Sequence, residues 1–282
     1  MQKTGLVLEG GGIRGIYTAG VLDYFMDQNL QVDCIIGVSA GALHGVNYKA
    51  KQSGRSYRVA TDYLKDNRYL SFHSLVHTGD IFGAEFCYHT IPEQLDPFDY
   101  ETYQSNPTQL YATVSNVSTG KAEYKLCSDL RKDMEYIRAS ASLPLLSRIV
   151  EIDGGRYLDG GICDSIPLKQ SQAMGNTKNI VILTRVAGYV KEPDRLLPMI
   201  RRKYRNNPEF VQAANERHLL YNDTIRLIEE EEKQGNCFVL RPSRYIGVSR
   251  LEKNVSKIKS LYELGFLDAK EQWQRLITYL EK

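Results

Sequence analysis

The stretch that decides the fold is TGLVLEGGGIRGIYTAGVLDYF, residues 4–25. Thr4 to Leu8 is a short apolar run typical of a buried strand, and apolar residues then recur at helical spacing from Ile13 to Phe25. The turn between strand and helix contains Gly10, Gly11, Gly12 and Gly15. Glycine permits positive φ angles, and the free amides and the helix dipole favour a negative charge. We therefore expect this turn to hold a phosphate or a developing oxyanion.

The composition is that of an ordinary globular protein, with 282 residues, 42% hydrophobic and 25% charged. A net charge of +2 gives no reason to expect nucleic-acid binding. The first apolar run stops at Glu9, and no later stretch is long and uncharged enough to span a bilayer, so we expect a soluble, cytoplasmic protein. The five cysteines and five histidines are dispersed, and neither a metal nor an organic cofactor is expected.

The order of predicted elements indicates an α/β fold. Strand and helix patterns alternate along the first part of the chain, which predicts a mostly parallel central sheet flanked by helices. We expect residues 1–190 to form the core, with an aromatic-rich, irregular insertion at about 55–108. Residues 191–282 are predicted to be a mainly helical C-terminal elaboration, packed on the core as one domain. Within it, NCFVLRPS at 236–243 is a candidate edge strand.

A second motif, DCIIGVSAGALHG at residues 33–45, follows the next predicted strand. It contains the G-x-S-x-G nucleophile elbow in the expected order of strand, sharp turn and helix. Gly37 and Gly41 allow the turn, which holds Ser39 in a strained conformation with the helix N-terminus directed at it. The alternative is a glycine-flanked turn whose serine only caps the helix.

The opening glycines also match a dinucleotide-binding fingerprint, Gly10-x-Gly12-x-x-Gly15. That fingerprint needs an acidic residue about 20 positions later, at the end of the second strand. Asp33 has the right distance but lies at the beginning of that strand. The second strand is thus equipped for a nucleophile, and the glycine loop beside it for oxyanion donors. Arg14 either adds positive charge there or pairs with a structural carboxylate.

The base that would activate Ser39 is predicted to be a carboxylate. His218 lies on the apolar face of a predicted helix, and His44 belongs to the helix that follows Ser39, which should carry it away from the nucleophile. Asp159 in RYLDGGICDSIPL, residues 156–168, ends a short apolar strand and is followed by two glycines. The same tripeptide begins at Asp153, so an ordinary glycine-rich turn is the competing interpretation.

Together, GGGIRG at 10–15, GVSAG at 37–41 and DGG at 159–161 resemble the patatin-like phospholipase family. RASASLPLLS at 138–147 is similar to the family's segment between elbow and acid. The resemblance implies a three-layer α/β/α fold and a Ser39–Asp159 dyad. It also implies an oxyanion hole formed by Gly10, Gly11, Gly12 and Arg14. It selects Asp159 over Asp153, because the family's acid precedes a stretch that ends in a proline, here Pro167. Asp164 departs from the family, which often has Asn there.

The resemblance implies a serine acyl hydrolase that acts on phospholipids, lysophospholipids or other fatty-acyl esters. Two other classes remain open: a catalytically silent lipid-binding or interaction protein, and a nucleotide-binding protein. The aromatic residues of 55–108 either line an acyl pocket or lid or belong mostly to the core, and we favour the core. The basic stretch at 195–208 either rests on an anionic membrane or forms a solvated face.

Overall fold

The computed structural model describes residues 2–282, and its centre is a mostly parallel sheet. Its strands are β1 (Thr4–Leu8), β2 (Cys34–Val38), β3 (Gln109–Asn116), β4 (Ala122–Leu126), β5 (Val150–Ile152), β6 (Gly155–Asp159), β7 (Lys178–Ile182) and β8 (Cys237–Leu240). They lie in the order β5-β6-β3-β2-β1-β7-β8, and β4 pairs with β3 outside this path. The pairs β3–β2, β2–β1, β1–β7 and β7–β8 are parallel. The pairs β3–β4, β3–β6 and β5–β6 are antiparallel.

Helices surround this sheet. They are α1 (Ile16–Asp27), α2 (Ala40–Lys49), α3 (Arg55–Asp62), α4 (Phe72–Thr78), α5 (Tyr100–Ser105), α6 (Leu130–Ser140), α7 (Leu168–Ala173), α8 (Leu197–Lys203), α9 (Pro208–Gln234) and α10 (Val255–Glu281). A π-helix spans Phe86–Leu95, and short 3-10 helices span Gly12–Gly15 and Gly160–Ile162. Within residues 2–282, no helix combines the length and the apolar character needed to cross a membrane. The predicted α/β fold with a helical C-terminal region is confirmed.

The central strands are apolar along their whole length. Every residue of CIIGV in β2 is buried, and β1 is buried from Gly5 to Leu8. Such continuous runs are expected of parallel strands covered on both faces, where an alternating pattern would leave polar groups buried. The candidate strand in 236–243 forms β8, which pairs parallel with β7 at the sheet edge. The division of the chain near residue 190 stays a prediction.

The C-terminal helix α10 packs closely against α1. A Cβ on Gly20 of α1 would lie 2.0 Å from the carbonyl oxygen of Tyr262, and a Cβ on Gly265 of α10 would lie 2.1 Å from that of Tyr17. Any side chain at either glycine would therefore separate the helices. This crossing holds the C-terminal region against the helix that follows the opening glycine loop.

The expectation of an irregular segment at 55–108 was wrong in part. This segment contains α3, α4, the π-helix and α5. These helices are six to ten residues long, too short for a repeated amphipathic pattern to be visible in the sequence. Half of the phenylalanine and tyrosine side chains of the segment are buried, among them Tyr69, Phe86 and Tyr88, whereas Phe72 is 75% exposed.

Candidate active site

Ser39 lies at the sharp turn between β2 and α2. Its φ and ψ are 54° and −122°, a region that non-glycine residues rarely occupy. Close packing leaves no room for side chains beside it, because a Cβ on Gly37 would lie 2.5 Å from Ala42 Cα and one on Gly41 would lie 2.4 Å from the Leu8 carbonyl oxygen. The Ser39 side chain makes no capping hydrogen bond to α2. The capping alternative therefore does not describe this serine.

The sheet topology brings Asp159 to the same end of β2 as Ser39. β2 pairs with β3 as far as Val38 and Thr113, and β6 pairs with β3 from the next residue, Val114, which lies opposite Asp159. β4 occupies the other edge of β3 along this stretch, so β6 continues the line of β2. Asp159 therefore ends its strand just beyond the turn that carries Ser39.

The carboxylate of Asp159 is buried and only partly compensated. The residue is 3% exposed, and its Oδ1 accepts a hydrogen bond from the Gly161 N–H at 2.8 Å. Burial raises the pKa of Asp159, while the positive charge of Arg217, the nearby Ser39 hydroxyl and the hydrogen bond from the Gly161 N–H lower it by less. A carboxylate with a raised pKa is a stronger base than an ordinary aspartate.

One segment supports both residues. At the end of α6, Ser140 Oγ accepts a hydrogen bond from the Ser39 N–H at 2.9 Å. Two residues later, the Ser142 carbonyl accepts one from the Asp159 N–H at 2.7 Å. Both serines belong to the stretch 138–147 that the sequence singled out by resemblance alone. Its physical role is to fix the two backbones relative to one another.

The opening glycine loop lies beside this turn. A Cβ on Gly10 would lie 3.2 Å from Ser39 Cβ. Gly12 has φ +57°, and a Cβ there would lie 2.5 Å from the carbonyl oxygen of Arg250, which accepts a hydrogen bond from the Ile13 N–H. Within residues 2–282, the amides of Gly10, Gly11 and Gly12 donate no hydrogen bond to another protein group. They are available to an external acceptor.

Arg14 is partly buried in the 3-10 helix that follows the loop. In the described part of the chain it forms no ion pair, and its Nε has no hydrogen-bond partner. Burial and the positive charges of Arg185 and Arg250 lower the pKa of Arg14 to about 10. Of the two interpretations of Arg14, this geometry favours added positive charge over pairing with a structural carboxylate.

Ser39 lines two different spaces. The first is an apolar cavity with an empty volume of about 1100 Å³, counting its opening to solvent. Its lining includes Ile16, Leu43, Val59, Tyr88, Phe98 and Ile137. Buried aromatic residues of 55–108 therefore also face a cavity, so the two interpretations of these side chains are compatible. A space of this size and character is suited to an acyl chain.

The second space is a polar cleft, which also holds Asp159 and the three loop glycines. We call it the cationic cleft, because five basic side chains line it: Arg14, Arg185, Lys191, Arg217 and Arg250. Only Arg14 was singled out from the sequence. The other four come from the segment after β7, from α9 and from the loop before α10, and no local motif marks them. Glu9 also lines the cleft and accepts hydrogen bonds from Tyr221 Oη and the Thr184 N–H.

The acidic residues and histidines that the sequence offered as alternatives to Asp159 lie elsewhere or bind other groups. Asp153 lies in the β5–β6 turn and accepts a hydrogen bond from Tyr136 Oη. Asp33 accepts one from the Thr4 N–H at the opposite end of β2 from Ser39. His44 bonds to Ser56 Oγ, and burial lowers its pKa to about 4. His218 belongs to α9 but does not line the cleft.

Asp164, the departure from the family pattern, is held at two points. Its carboxylate accepts hydrogen bonds from Tyr124 Oη at 2.7 Å and from the Ile166 N–H at 3.1 Å. The turn that follows Asp159 is therefore closed by hydrogen bonds with aspartate in this position. Burial raises the pKa of Asp164.

A family model described as patatin-like phospholipase matches residues 6–171, more than half of the chain. The chain belongs to this family. The predicted resemblance is thereby confirmed. A second model, described as a domain of unknown function (DUF6363), matches residues 207–281, which include α9, β8 and α10. This patatin-like chain therefore combines two recognised sequence regions, and both contribute to the cationic cleft.

The chain is also similar to individual proteins. The protein named "Uncharacterized protein YjjU" of Escherichia coli K12 is 26% identical, over 94% of this chain and 75% of that protein. "Lysophospholipase nte1" of Emericella nidulans is 26% identical over 98% of this chain. "Lysophospholipase NTE1" of Saccharomyces cerevisiae is 30% identical over 62% of it. The alignments cover 18% and 10% of these two lysophospholipases. Among solved structures, VipD from Legionella pneumophila aligns with a TM-score of 0.46 at 11% identity, over 100% of this chain and 67% of that chain.

Proposed function

We propose that this chain is a serine acyl hydrolase that cleaves fatty-acyl esters of lipids, with Ser39 as nucleophile and Asp159 as its base. The observation that carries the proposal is the position of Ser39, which lines both the apolar cavity and the polar cleft that holds Asp159. An acyl ester has the same two parts, an apolar chain and a polar alcohol. Family membership supports the same reaction class, and two of the relatives are named lysophospholipases.

In this mechanism Ser39 Oγ attacks the ester carbonyl carbon, and Asp159 accepts the hydroxyl proton. The tetrahedral intermediate carries a negative oxygen, which the amides of Gly10, Gly11 and Gly12 stabilise, with Arg14 adding positive charge. The bond from carbon to the alcohol oxygen then breaks, and Asp159 returns the proton to the departing alcohol. Water attacks the acyl-enzyme in the same way, which releases the fatty acid and restores Ser39.

Two features support the choice of base. Burial raises the pKa of Asp159, which strengthens it as a base. The nearby cations reduce the cost of charge in the site, and the N-terminus of α2 favours negative charge at Ser39. The histidine alternative has little support, because His44 is engaged with Ser56 and His218 does not line the cleft.

The test is labelling by a fluorophosphonate, with the modified residue mapped by mass spectrometry. This probe reports activation of the nucleophile without knowledge of the substrate. We expect the label on Ser39, none in Ser39→Ala, and at least a hundredfold slower labelling in Asp159→Asn. Asp153→Asn is the matched control, since it makes the same change in the same tripeptide at an exposed turn, and should label at the wild-type rate. His218→Ala should also keep the label.

Two results would contradict this proposal. If the folded wild type takes no label, the hydrolase proposal fails and a silent lipid-binding protein becomes the better interpretation. If labelling survives Asp159→Asn but disappears in a histidine variant, the serine is activated by a different base.

A further inference from the structure

The cationic cleft contains more positive charge than its own carboxylates balance. Five basic side chains line it, against the two carboxylates of Glu9 and Asp159. In residues 2–282, none of the five takes part in an ion pair within 4.0 Å. Both carboxylates already have other donors, Tyr221 and the Thr184 N–H for Glu9 and the Gly161 N–H for Asp159.

Burial, with the like charges nearby, disfavours the charged forms of two of these side chains. Burial, followed by the charge of Arg217, lowers the pKa of Lys191 to about 7. Burial and the charge of Arg250 lower the pKa of Arg217. Buried like charges destabilise a fold unless an opposite charge joins them, so such clusters are concentrated at binding sites.

The cations are held in place by backbone contacts from separate elements. Arg217 Nε donates a hydrogen bond to the carbonyl oxygen of Gly161, directly after the Asp159 strand. The Arg250 backbone is joined to the glycine loop through the Ile13 N–H. The Lys191 backbone is bound to α9 by two hydrogen bonds with Asn222. The five basic side chains of the cleft thus converge from four segments: the 3-10 helix after the glycine loop, the segment after β7, α9 and the loop before α10.

Charge and shape together indicate the ligand. Arginine and lysine side chains that converge without carboxylate partners are suited to phosphate, which accepts several charge-assisted hydrogen bonds at once. The apolar cavity meets this cleft at Ser39, Gly12 and Leu143, which line both spaces. A molecule that filled both would have an apolar chain on one side of Ser39 and an anionic group on the other.

We propose that the cationic cleft binds the phosphate in the alcohol portion of a lipid ester whose acyl chain occupies the apolar cavity. This inference rests on the proposed function and specifies its substrate class. Because the cleft has an excess of positive charge, a phosphate without a neighbouring quaternary ammonium fits it better than a phosphocholine. The order of preference is therefore acyl-glycerol phosphate, then the choline ester, then the neutral acyl-glycerol.

The first experiment compares kcat/KM for three lipids that share an oleoyl chain: lysophosphatidate, lysophosphatidylcholine and monoacylglycerol, each below its critical micelle concentration. We expect lysophosphatidate to exceed monoacylglycerol by about tenfold or more, the effect of one or two charge-assisted hydrogen bonds. The double variant Arg185→Gln, Lys191→Met should bring this ratio close to one. Arg202→Gln, Lys203→Met makes the same chemical change on the exposed side of α8 and should keep the wild-type ratio. Equal rates on the three lipids, or an unchanged ratio in the cleft variant, would overturn the proposal.

A second experiment separates this proposal from the catalytic one. Ser39→Ala removes the nucleophile, so calorimetric titration with lysophosphatidate measures binding whether or not the wild type is an enzyme. Binding that is lost in the triple variant with Arg185→Gln and Lys191→Met would support the anion site even if no ester were hydrolysed. Competition by inorganic phosphate alone, without preference for the lipid, would show a free-phosphate site and contradict the lipid assignment. No binding of either would contradict the site itself.

Discussion

The backbone N–H of Ser39 donates a hydrogen bond to Ser140 Oγ at 2.9 Å, from a helix that begins about ninety residues later in the chain. The amide is buried, so a serine at 140 satisfies a donor that would otherwise be left without a partner. The same segment holds Asp159 through the Ser142 carbonyl. The two proposed catalytic residues are therefore positioned by a third element, to which neither belongs.

Ser140→Ala is expected to slow fluorophosphonate labelling of Ser39 about tenfold and to destabilise the fold by about 1–3 kcal/mol, the cost of an unsatisfied buried amide. Labelling rates and urea unfolding measure the two effects. Ser142→Ala is the matched control, because its backbone carbonyl remains and its Oγ bonds only to the Arg138 carbonyl. Equal effects of the two substitutions would show that the Ser140 hydroxyl has no special role.

Gly12→Ala tests the close approach of the glycine loop to the C-terminal region. Gly12 has φ +57°, and an added Cβ would lie 2.5 Å from the Arg250 carbonyl oxygen. Gly154→Ala shares the positive φ, at +76°, but has nothing within 4 Å. The control should cost only the backbone strain, about 1 kcal/mol. We expect Gly12→Ala to cost clearly more and to abolish labelling. Similar melting temperatures for the two variants would contradict the close packing.

The pH dependence of labelling follows from Asp159. Its pKa is raised from 3.8 by burial, and the base must be ionised to accept a proton. The labelling rate should therefore fall as the pH drops, with its midpoint above 3.8. Burial of its ring lowers the pKa of the partly exposed His44 to about 4, so this side chain also titrates in acid. The fall of the labelling rate at acid pH should persist in His44→Gln and His218→Ala. Loss of this acid-side fall in His44→Gln would assign the titration to His44, and its loss in His218→Ala would contradict the role of Asp159.

The apolar cavity predicts a preference for long acyl chains. Val59 of α3 lines the cavity, and Val59→Phe would fill part of it. Each buried methylene contributes about 0.8 kcal/mol, so kcat/KM for a palmitoyl ester should fall roughly tenfold or more, with little effect on a butyryl ester. Val76→Phe is the control, because Val76 is 69% exposed on α4 and does not line the cavity. A uniform loss on both esters would indicate misfolding rather than chain selection.

The proposed catalytic residues were predictable because short motifs around them determine the local backbone conformation. Ser39 and the glycines of both turns belong to short motifs in which a strand, a turn and a helix follow one another. Asp159 was separated from Asp153 only by resemblance to the family, since the two tripeptides are identical. The pairing of β6 with β3 beyond the end of β2, which brings Asp159 near Ser39, is a property of the whole sheet.

The rest of the site was hidden for a physical reason. Arg185, Lys191, Arg217 and Arg250 are separated along the chain and meet only when α9 and the loop before α10 have packed. A single basic residue in a helix or loop is normally solvated, so no one of them stands out. Ser140 likewise gains its role from a contact across about a hundred residues. Short sequence motifs predict the conformation of neighbouring residues, whereas these contacts join residues that are far apart in the sequence.

The hydrogen bond from the Ile13 N–H to the Arg250 carbonyl bears on how this protein can be divided. The region matched as patatin-like ends at residue 171, yet the loop just before Ile13 is shaped around a backbone oxygen from the region matched separately at 207–281. A chimera of the first region with an unrelated C-terminal region would lack the Arg250 carbonyl oxygen, which packs against Gly12 and accepts the hydrogen bond from the Ile13 N–H. In engineered chimeras, the two regions should therefore be exchanged together.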